Sequence, residues 1–535
     1  MKKNSLSKLF LGKLVFLLPF ILLLSCATTK NLEPGEELVE YKNMDYKSLN
    51  KSELTQKELR EDCDMLKYLL YNSYAGIDEA IENGFDLDGA IEEIYSKSLT
   101  KMNIGTCSRS NFSNCIYQVL SKELNNNDLH LSIGGSSLKE AYSIYYTNIY
   151  FEKKGDSYFV KEIRVPKIDE KEKKSVKFDE NPNVKVGMEY TGPVKNLYPF
   201  LIPGGIEYRY GLFINKKIRT ANISLENANY TVPISNEKPI SQKLAWTGLK
   251  TSKDSLYMSL GDCIQVNGIG QDADLKSLAW DKYLAELSKN AAGKKNIIFD
   301  LRSNSGGRYE YPAKMLASTV FYTYTDKDEI RELQNLFSNS IDQDMTFLVS
   351  PVTMAVEKKY LTGYGKNLFE QMDLDRQEYF KNYWKNMKRR PIRKHIPLKQ
   401  YTSTLEAFPQ PDFQGDIYIL INKYTASASE FGIGMAYLLQ DKGIKVHLIG
   451  ENTAGAFKYA GMQANYLPNS GLLVYTGVYF GESSGMKANS NWLGEGFGFK
   501  PDFYACRENI LSILILLTKD TELADCLKGL DREQL

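Results

Sequence analysis

Three apolar runs, each too short for a buried helix and each preceding or following a helical stretch, constrain this chain most. Ile297-Ile298-Phe299 follows a segment with Leu284 and Leu287 at helical spacing. Ile417 to Ile421 leads into an apolar helical stretch ending near Leu439, and Val446 to Ile449 follows that. Apolar runs of this length, the third interrupted only by His447, read as strands buried on both faces. Strand, helix, strand in this order predicts a mixed α/β core.

The rest of the chain differs in texture. Leu66, Leu69 and Leu70, then Ile91 and Ile94, fit amphipathic helices, so 53–135 is expected to be a helical N-terminal domain. Residues 136–245 hold short apolar runs such as Ile149-Tyr150-Phe151 and Tyr158-Phe159-Val160 between turn signals such as Pro203-Gly204-Gly205. They read as a β-rich module, PDZ-like or a plain β subdomain. The α/β core then occupies 246–515, with a Lys-, Tyr- and Asp-rich, mostly helical insertion at 309–410 that could cover a site, and 516–535 is a tail. Within the insertion, Lys388-Arg389-Arg390 with Arg393-Lys394 is basic and reads as a solvated helix end.

The start of the chain reads as an address. Lys2, Lys3 and Lys8 precede Leu14 to Leu24, an apolar stretch too short to span a bilayer. Residues 1–25 are expected to be a signal peptide. The stretch Leu23-Leu24-Ser25-Cys26-Ala27 resembles a bacterial lipobox, which implies lipidation of Cys26, a tether over 26–52, and a protein held on a bacterial membrane, periplasmic or cell-surface side.

Composition excludes some functions. The 535 residues carry a net charge of +1 and no dominant charge run, so nucleic acid is not an expected partner. Three histidines (His130, His395, His447) and no C-x-x-C argue against a metal site, and no cofactor is implied. His447 lies in a strand and reads as structural; His395 is expected to be exposed. Cys107 with Cys115, and Cys506 with Cys526, are close enough in sequence to pair in an oxidising compartment, with free buried thiols as the alternative.

Three loops could carry chemistry. Asp300-Leu301-Arg302-Ser303-Asn304-Ser305-Gly306-Gly307 follows a buried strand, and its paired glycines can expose backbone N–H groups. Asp300 and Arg302 are expected to brace this loop. Thr425-Ala426-Ser427-Ala428-Ser429-Glu430 is a small-residue turn before an apolar helix, where Ser427 sits at the positive helix end, or serves only as a cap. Asn126-Asn127-Asp128-Leu129-His130 is a polar loop with one histidine.

These segments, followed by Ile449-Gly450-Glu451-Asn452-Thr453-Ala454-Gly455, resemble in order the signature of the tail-specific, or carboxyl-terminal processing, serine peptidases. The resemblance covers about 254–504. It implies a crotonase-like (ClpP/crotonase) core, Ser427 as nucleophile, and an oxyanion hole from Ala428 N–H and the Gly306-Gly307 loop. In the Ser-Lys branch of that family the base is a lysine, but its position here holds Ala456; Lys458, two residues on, is an alternative base. In the tricorn-core branch the base is a histidine in a D-x-H loop, partnered by the glutamate of E-x-x-G-x-x-P-D. Asp128-Leu129-His130 and the run from Glu495 to Pro501-Asp502 match both patterns, which implies His130 as base and Glu495 as its partner. Leu129 replaces the serine usual in that branch. The expected function is an exported, membrane-anchored serine endopeptidase acting on proteins or peptides through an acyl-enzyme. The competing expectation is an inactive peptidase-fold binding lipoprotein.

Overall fold

A computed structural model of the chain describes residues 50–164, 183–235, 248–261, 263, 272–324, 326–341, 345–359, 393–397, 408–481, 489–505 and 509–527. The expected signal peptide, Cys26, Cys506 and Lys388-Arg389-Arg390 lie outside the described residues. None of the described helices is long and apolar enough to cross a membrane.

The apolar runs form the middle of a ten-stranded sheet. Ser255–Ser259, Asn296–Asp300, Asp416–Ile421, Lys445–Gly450 and Phe503–Tyr504 lie side by side and parallel. Strand side chains alternate between faces, so each strand feeds two cores. Ile297, Phe299, Ile417 and Ile419 pack with the helices Asp272–Ala291, Glu310–Val320 and Ala428–Leu438. Ile298, Tyr418 and Leu420 face Ile510, Ile513 and Leu514 of the helix Ile510–Thr518. Both faces are therefore covered, as a parallel sheet requires.

The β-rich region continues this sheet. Leu197–Ile202 pairs in parallel with Phe503–Tyr504 through Phe200 and Tyr504, and Gly205–Ile214, Ser143–Lys154 and Ser157–Ile163 extend it. Tyr146, Tyr198, Phe200 and Tyr504 form an aromatic seam at the junction. Beyond it the region has its own core, built with the hairpin Thr220–Leu225 and Ala228–Pro233.

The stretch 309–410 differs from a covering insertion where it is described. The helix Glu310–Val320 is buried in the main core. Thr346–Val349 and Lys394–Pro397 are strands of a second, six-stranded sheet that also holds Leu473–Phe480 and Ser132–Ile133. His395 is half-buried, not exposed: its Nε2 lies 2.9 Å from Asp78 Oδ2 and its Nδ1 3.2 Å from Thr346 Oγ1. Arg393 donates to the same Asp78 carboxylate and to Tyr71 O. His447 stacks on Tyr418 within the sheet. Cys63, Cys107, Cys115, Cys263 and Cys526 are free thiols, so Cys107 and Cys115 are not joined.

The N-terminal helices pack onto this second sheet. Gln56–Ser73 starts at a Thr55–Glu58 capping box and buries Leu59, Cys63, Leu66, Leu69 and Leu70. Their core includes Tyr459, Leu467, Leu472 and Val474 from the other end of the chain. Buried Asp62 clasps the turn there, accepting from Asn469 N–H (2.8 Å) and Ser470 N–H (2.9 Å).

Asp300 and Arg302 are both fully buried at the end of the central strand. Asp300 accepts from Arg302 Nε (2.9 Å) and Nη2 (2.5 Å) and from the Tyr257 hydroxyl (2.6 Å). Removing one partner of such a pair strands the other charge in a low-dielectric interior. Asp300→Ala should therefore lower unfolding free energy by about 3–5 kcal/mol. A denaturant midpoint within error of wild type would show that the pair does not brace the loop.

Candidate active site

Ser427 caps the helix Ala428–Leu438 with φ 54° and ψ −121°. A non-glycine residue in this region costs on the order of 1–3 kcal/mol and must be held there by its surroundings. Part of the hold is the close approach of Gly306. A Cβ built on Gly306 would come within 2.6 Å of Ser427 Cβ, 2.8 Å of Ala426 O and 2.9 Å of Ala428 N. The 300–307 loop is itself laced to this turn: Ala426 N–H donates to Asn304 O (3.0 Å), and Ser303 N–H to Asn422 Oδ1 (2.9 Å).

The two glycines have different parts. Gly306 N–H donates to Asn304 Oδ1 (3.0 Å), so it is not free for a substrate, contrary to the expectation that both glycines supply donors. Gly307 N–H and Ala428 N–H bond no acceptor among the described residues. Gly307 φ is 134°, a conformation that suits glycine. One N–H from the loop and one from the first turn of the helix are the donor set an oxyanion needs.

The second hold on Ser427 is Glu430, buried three residues on. Its Oε2 accepts from Ser427 N–H (3.0 Å) and Ala456 N–H (2.8 Å); its Oε1 accepts from Thr453 Oγ1 (2.5 Å) and Gly455 N–H (2.8 Å). Burial pushes the Glu430 carboxyl up to about 7, against the pull of these donors. The next two N–H groups, of Phe457 and Lys458, donate to Glu495 Oε2 at 2.8 and 2.6 Å. The 453–458 loop thus bridges the serine turn to Glu495.

His130 reaches this place from the far end of the chain. Asp128 Oδ1 accepts from His130 N–H (2.7 Å) and Leu131 N–H (3.3 Å), closing a tight turn. On one side, Ser132 and Ile133 pair with Tyr475 and Val474. On the other, Tyr142 N–H donates to Gly496 O (3.1 Å), and its ring lies 4.4 Å from that of Phe497. Asp128, His130 and Glu495 each bring one donor atom within 4.8 Å of the other two. His130 Nδ1 lies 4.0 Å from Asp128 Oδ1 and makes no hydrogen bond.

His130 and Glu495 are therefore brought together, and Ser427 joins them through the 453–458 loop. No hydrogen bond forms between Ser427 Oγ and His130. Burial lowers the His130 pKa to about 4, which keeps the ring neutral at physiological pH, the form a general base needs. Burial lifts Asp128 to about 7, and burial reinforced by Asp128 lifts Glu495 well above the ordinary carboxylate range. Lys458 is engaged elsewhere: its ammonium pairs with Glu79 Oε1, and Tyr459 donates to Glu79 Oε2 (2.6 Å).

Sequence reasoning assigned no role to Asp128, Glu430 or Asn304. Glu430 had a legible signal, since Ser427 and Glu430 have the spacing of a capping box. Asp128 had the Asx-turn signal of an aspartate two residues before the histidine.

Residues 263–505 match the model of peptidase family S41. No curated protein matches the chain. Solved structures similar to it include mature CPAF complexed with lactacystin, at 15% identity, covering 89% of this chain and 98% of that one with TM-score 0.40. They also include the photosystem II D1 C-terminal processing protease, at 12% identity, 84% and 93% coverage and TM-score 0.28. The tricorn protease is similar at 13% identity, 87% and 37% coverage and TM-score 0.32.

Two measurements probe this geometry. Gly306→Ala should reduce kcat by about 10²–10³, the effect of losing an oxyanion donor, because the added methyl displaces the Ser427–Ala428 turn; wild-type kcat in this variant would contradict the close packing. Glu430 has a folded pKa raised above its unfolded value. Stability is therefore lost as pH rises through the window from about 4.5 to about 7, where only the unfolded chain ionises. Glu430→Gln should show a smaller fall in unfolding free energy between pH 5 and pH 8 than wild type, measured by urea denaturation at both pH values; an equal fall would assign the pH dependence to other groups.

Over 263–505, within its α/β core, the chain matches the family S41 peptidases, which are serine-type hydrolases.

Proposed function

We propose that the chain is an exported, lipid-anchored serine endopeptidase that works through an acyl-enzyme on Ser427. The observation that carries this reading is the turn at Ser427. A strained serine stands between two N–H groups uncommitted among the described residues, and the loop that braces it also holds Glu495, which meets a half-buried histidine.

In this mechanism His130 takes the Ser427 hydroxyl proton as Oγ attacks the scissile carbonyl. The oxyanion accepts from Ala428 N–H and Gly307 N–H. Glu495 orients the ring and stabilises its cationic form. His130 then gives the proton to the leaving amine, and water repeats the sequence on the ester. The Ser427–His130 hydrogen bond closes when substrate excludes water, since catalytic contacts often tighten only in the complex. Protein or peptide is the substrate class of the family, and no cofactor is required by these steps.

Lys458 as base is disfavoured by its pairing with Glu79, and the binding-protein reading by the backbone bonds that fix both the Glu430 and Glu495 carboxylates. Export and anchoring rest on the basic-apolar start and the Leu23 to Ala27 stretch. Covalent labelling by a fluorophosphonate probe tests the chemistry. Labelling is expected for wild type and Lys458→Ala, and at least about 10²-fold slower for His130→Ala, the usual contribution of a positioned base. It should be absent in Ser427→Ala. An unlabelled wild type would favour the binding-protein reading, and labelling that depends on Lys458 but not His130 would replace the base. Incorporation of labelled fatty acid, lost in Cys26→Ala, tests the anchor.

A further inference from the structure

Around His130 the polar atoms are committed in an uneven pattern. Asp128 uses Oδ1 for two backbone N–H groups, and Glu495 uses Oε2 for two more. Among the described residues, Glu495 Oε1 and His130 Nδ1 are buried with no hydrogen-bond partner, and beyond its backbone donors the Asp128 carboxylate has only the Tyr74 hydroxyl beside it. Asp128 is 1% and Glu495 8% exposed. Buried polar atoms are nearly always paired, so two orphans on adjoining residues, beside a third buried carboxylate, need a common explanation. We infer that Asp128, His130 and Glu495 form a binding site for one zinc ion, and that filling it silences the peptidase.

The donor set fits. Two carboxylates and an imidazole make a three-ligand zinc site with a fourth position left open. Tetrahedral zinc, with bonds of roughly 2.0–2.2 Å, places its ligand atoms roughly 3.3 Å apart; one ligand atom from each of the three residues already lies within 4.8 Å of the other two, within reach of small side-chain rotations. Backbone N–H groups that fix the other oxygen of each carboxylate are the outer support that orients metal ligands. The imidazole favours zinc over magnesium, which prefers an all-oxygen shell and keeps its water. The His130 side chain is 14% exposed, which leaves a route in.

Silencing rests on the reading of His130 as base. A ring tied to zinc, with Glu495 drawn onto the ion, cannot turn to accept the Ser427 proton. The metal enters as a ligand that competes with catalysis and takes part in no bond-making step.

The test uses the full chain in detergent with accessible thiols alkylated, in the Ser427→Ala background so that nothing is cleaved. Calorimetric titration with zinc chloride should show one ion per chain. Glu495→Gln, which keeps an acceptor for the Phe457 and Lys458 N–H groups, and His130→Ala should each bind at least about 10-fold more weakly. His395→Ala should bind as the parent does, and magnesium chloride should give no saturable heat. No zinc uptake, or undiminished uptake in folded Glu495→Gln and His130→Ala, overturns the site. Separately, zinc should inhibit wild-type peptide hydrolysis with a midpoint equal to the measured Kd, and EDTA should restore it. Full activity with the site saturated overturns the silencing. If metal-free wild type cleaves nothing while zinc binds these three residues, the site stands and the peptidase reading falls.

Discussion

The buried carboxylate of Glu430 is the interaction on which the rest of the site depends. An uncompensated buried carboxylate would cost several kcal/mol. Here four donors converge on it, from Ser427, Thr453, Gly455 and Ala456. Charge-assisted bonds of this kind are among the stronger ones available. Three of the four donors, two backbone N–H groups and the Thr453 hydroxyl, come from the short stretch 453–456, so that stretch cannot leave the serine turn without stranding the carboxylate. The same stretch offers its next two N–H groups to Glu495. Two acidic groups far apart in sequence are thereby held at fixed separation by consecutive peptide units.

This bridging lets segments hundreds of residues apart share one site. The 494–498 turn is set against the 453–455 backbone with no room for side chains: a Cβ on Gly455 would come within 2.4 Å of Gly498 N, and one on Gly498 within 2.2 Å of Thr453 O. The chain that follows the His130 loop is fastened twice, by strand pairing of Ser132 and Ile133 to Tyr475 and Val474 and by Tyr142 to Gly496. Its own turn is closed by Asp128. The strain at Ser427 is sustained by these fixed neighbours, as strained backbone at functional sites must be.

Legibility in the sequence followed the range of the forces involved. The central strands were readable because burial on both faces leaves an unbroken apolar run, as at Ile297 to Phe299. The helical start was readable from Leu66, Leu69 and Leu70. Ser427, His130 and Glu495 were singled out by local patterns of small, polar and glycine residues, while the distance between His130 and Ser427 depends on sheet pairings that no local pattern encodes. The β-rich region read as a separate module because, among the described residues, its strand pairing to the core is a single short parallel register at Phe200 and Tyr504. His395 read as exposed because its partner, Asp78, lies over three hundred residues earlier. Gly306 and Gly307 are adjacent and alike in sequence, and only the side chain of Asn304 distinguishes a blocked donor from a free one.

Position 456 holds an alanine that the structure ties to the serine turn. Ala456 is buried, and its N–H is spent on Glu430. Lys458, two residues on, is paired with Glu79, which sits in the short N-terminal helix Ile77–Glu82 and also holds Tyr459. Asp78, its neighbour in that helix, holds Arg393 and His395. One helical turn thus anchors both the strand Lys394–Pro397 and the end of the 453–458 loop. The N-terminal domain contributes His130 directly and fixes Lys458 indirectly, so it is part of the proposed active site. A core folded alone over 263–505 would contain Ser427, Glu430 and Glu495 but lack His130, and Lys458 would have lost the Glu79 carboxylate that now pairs with it.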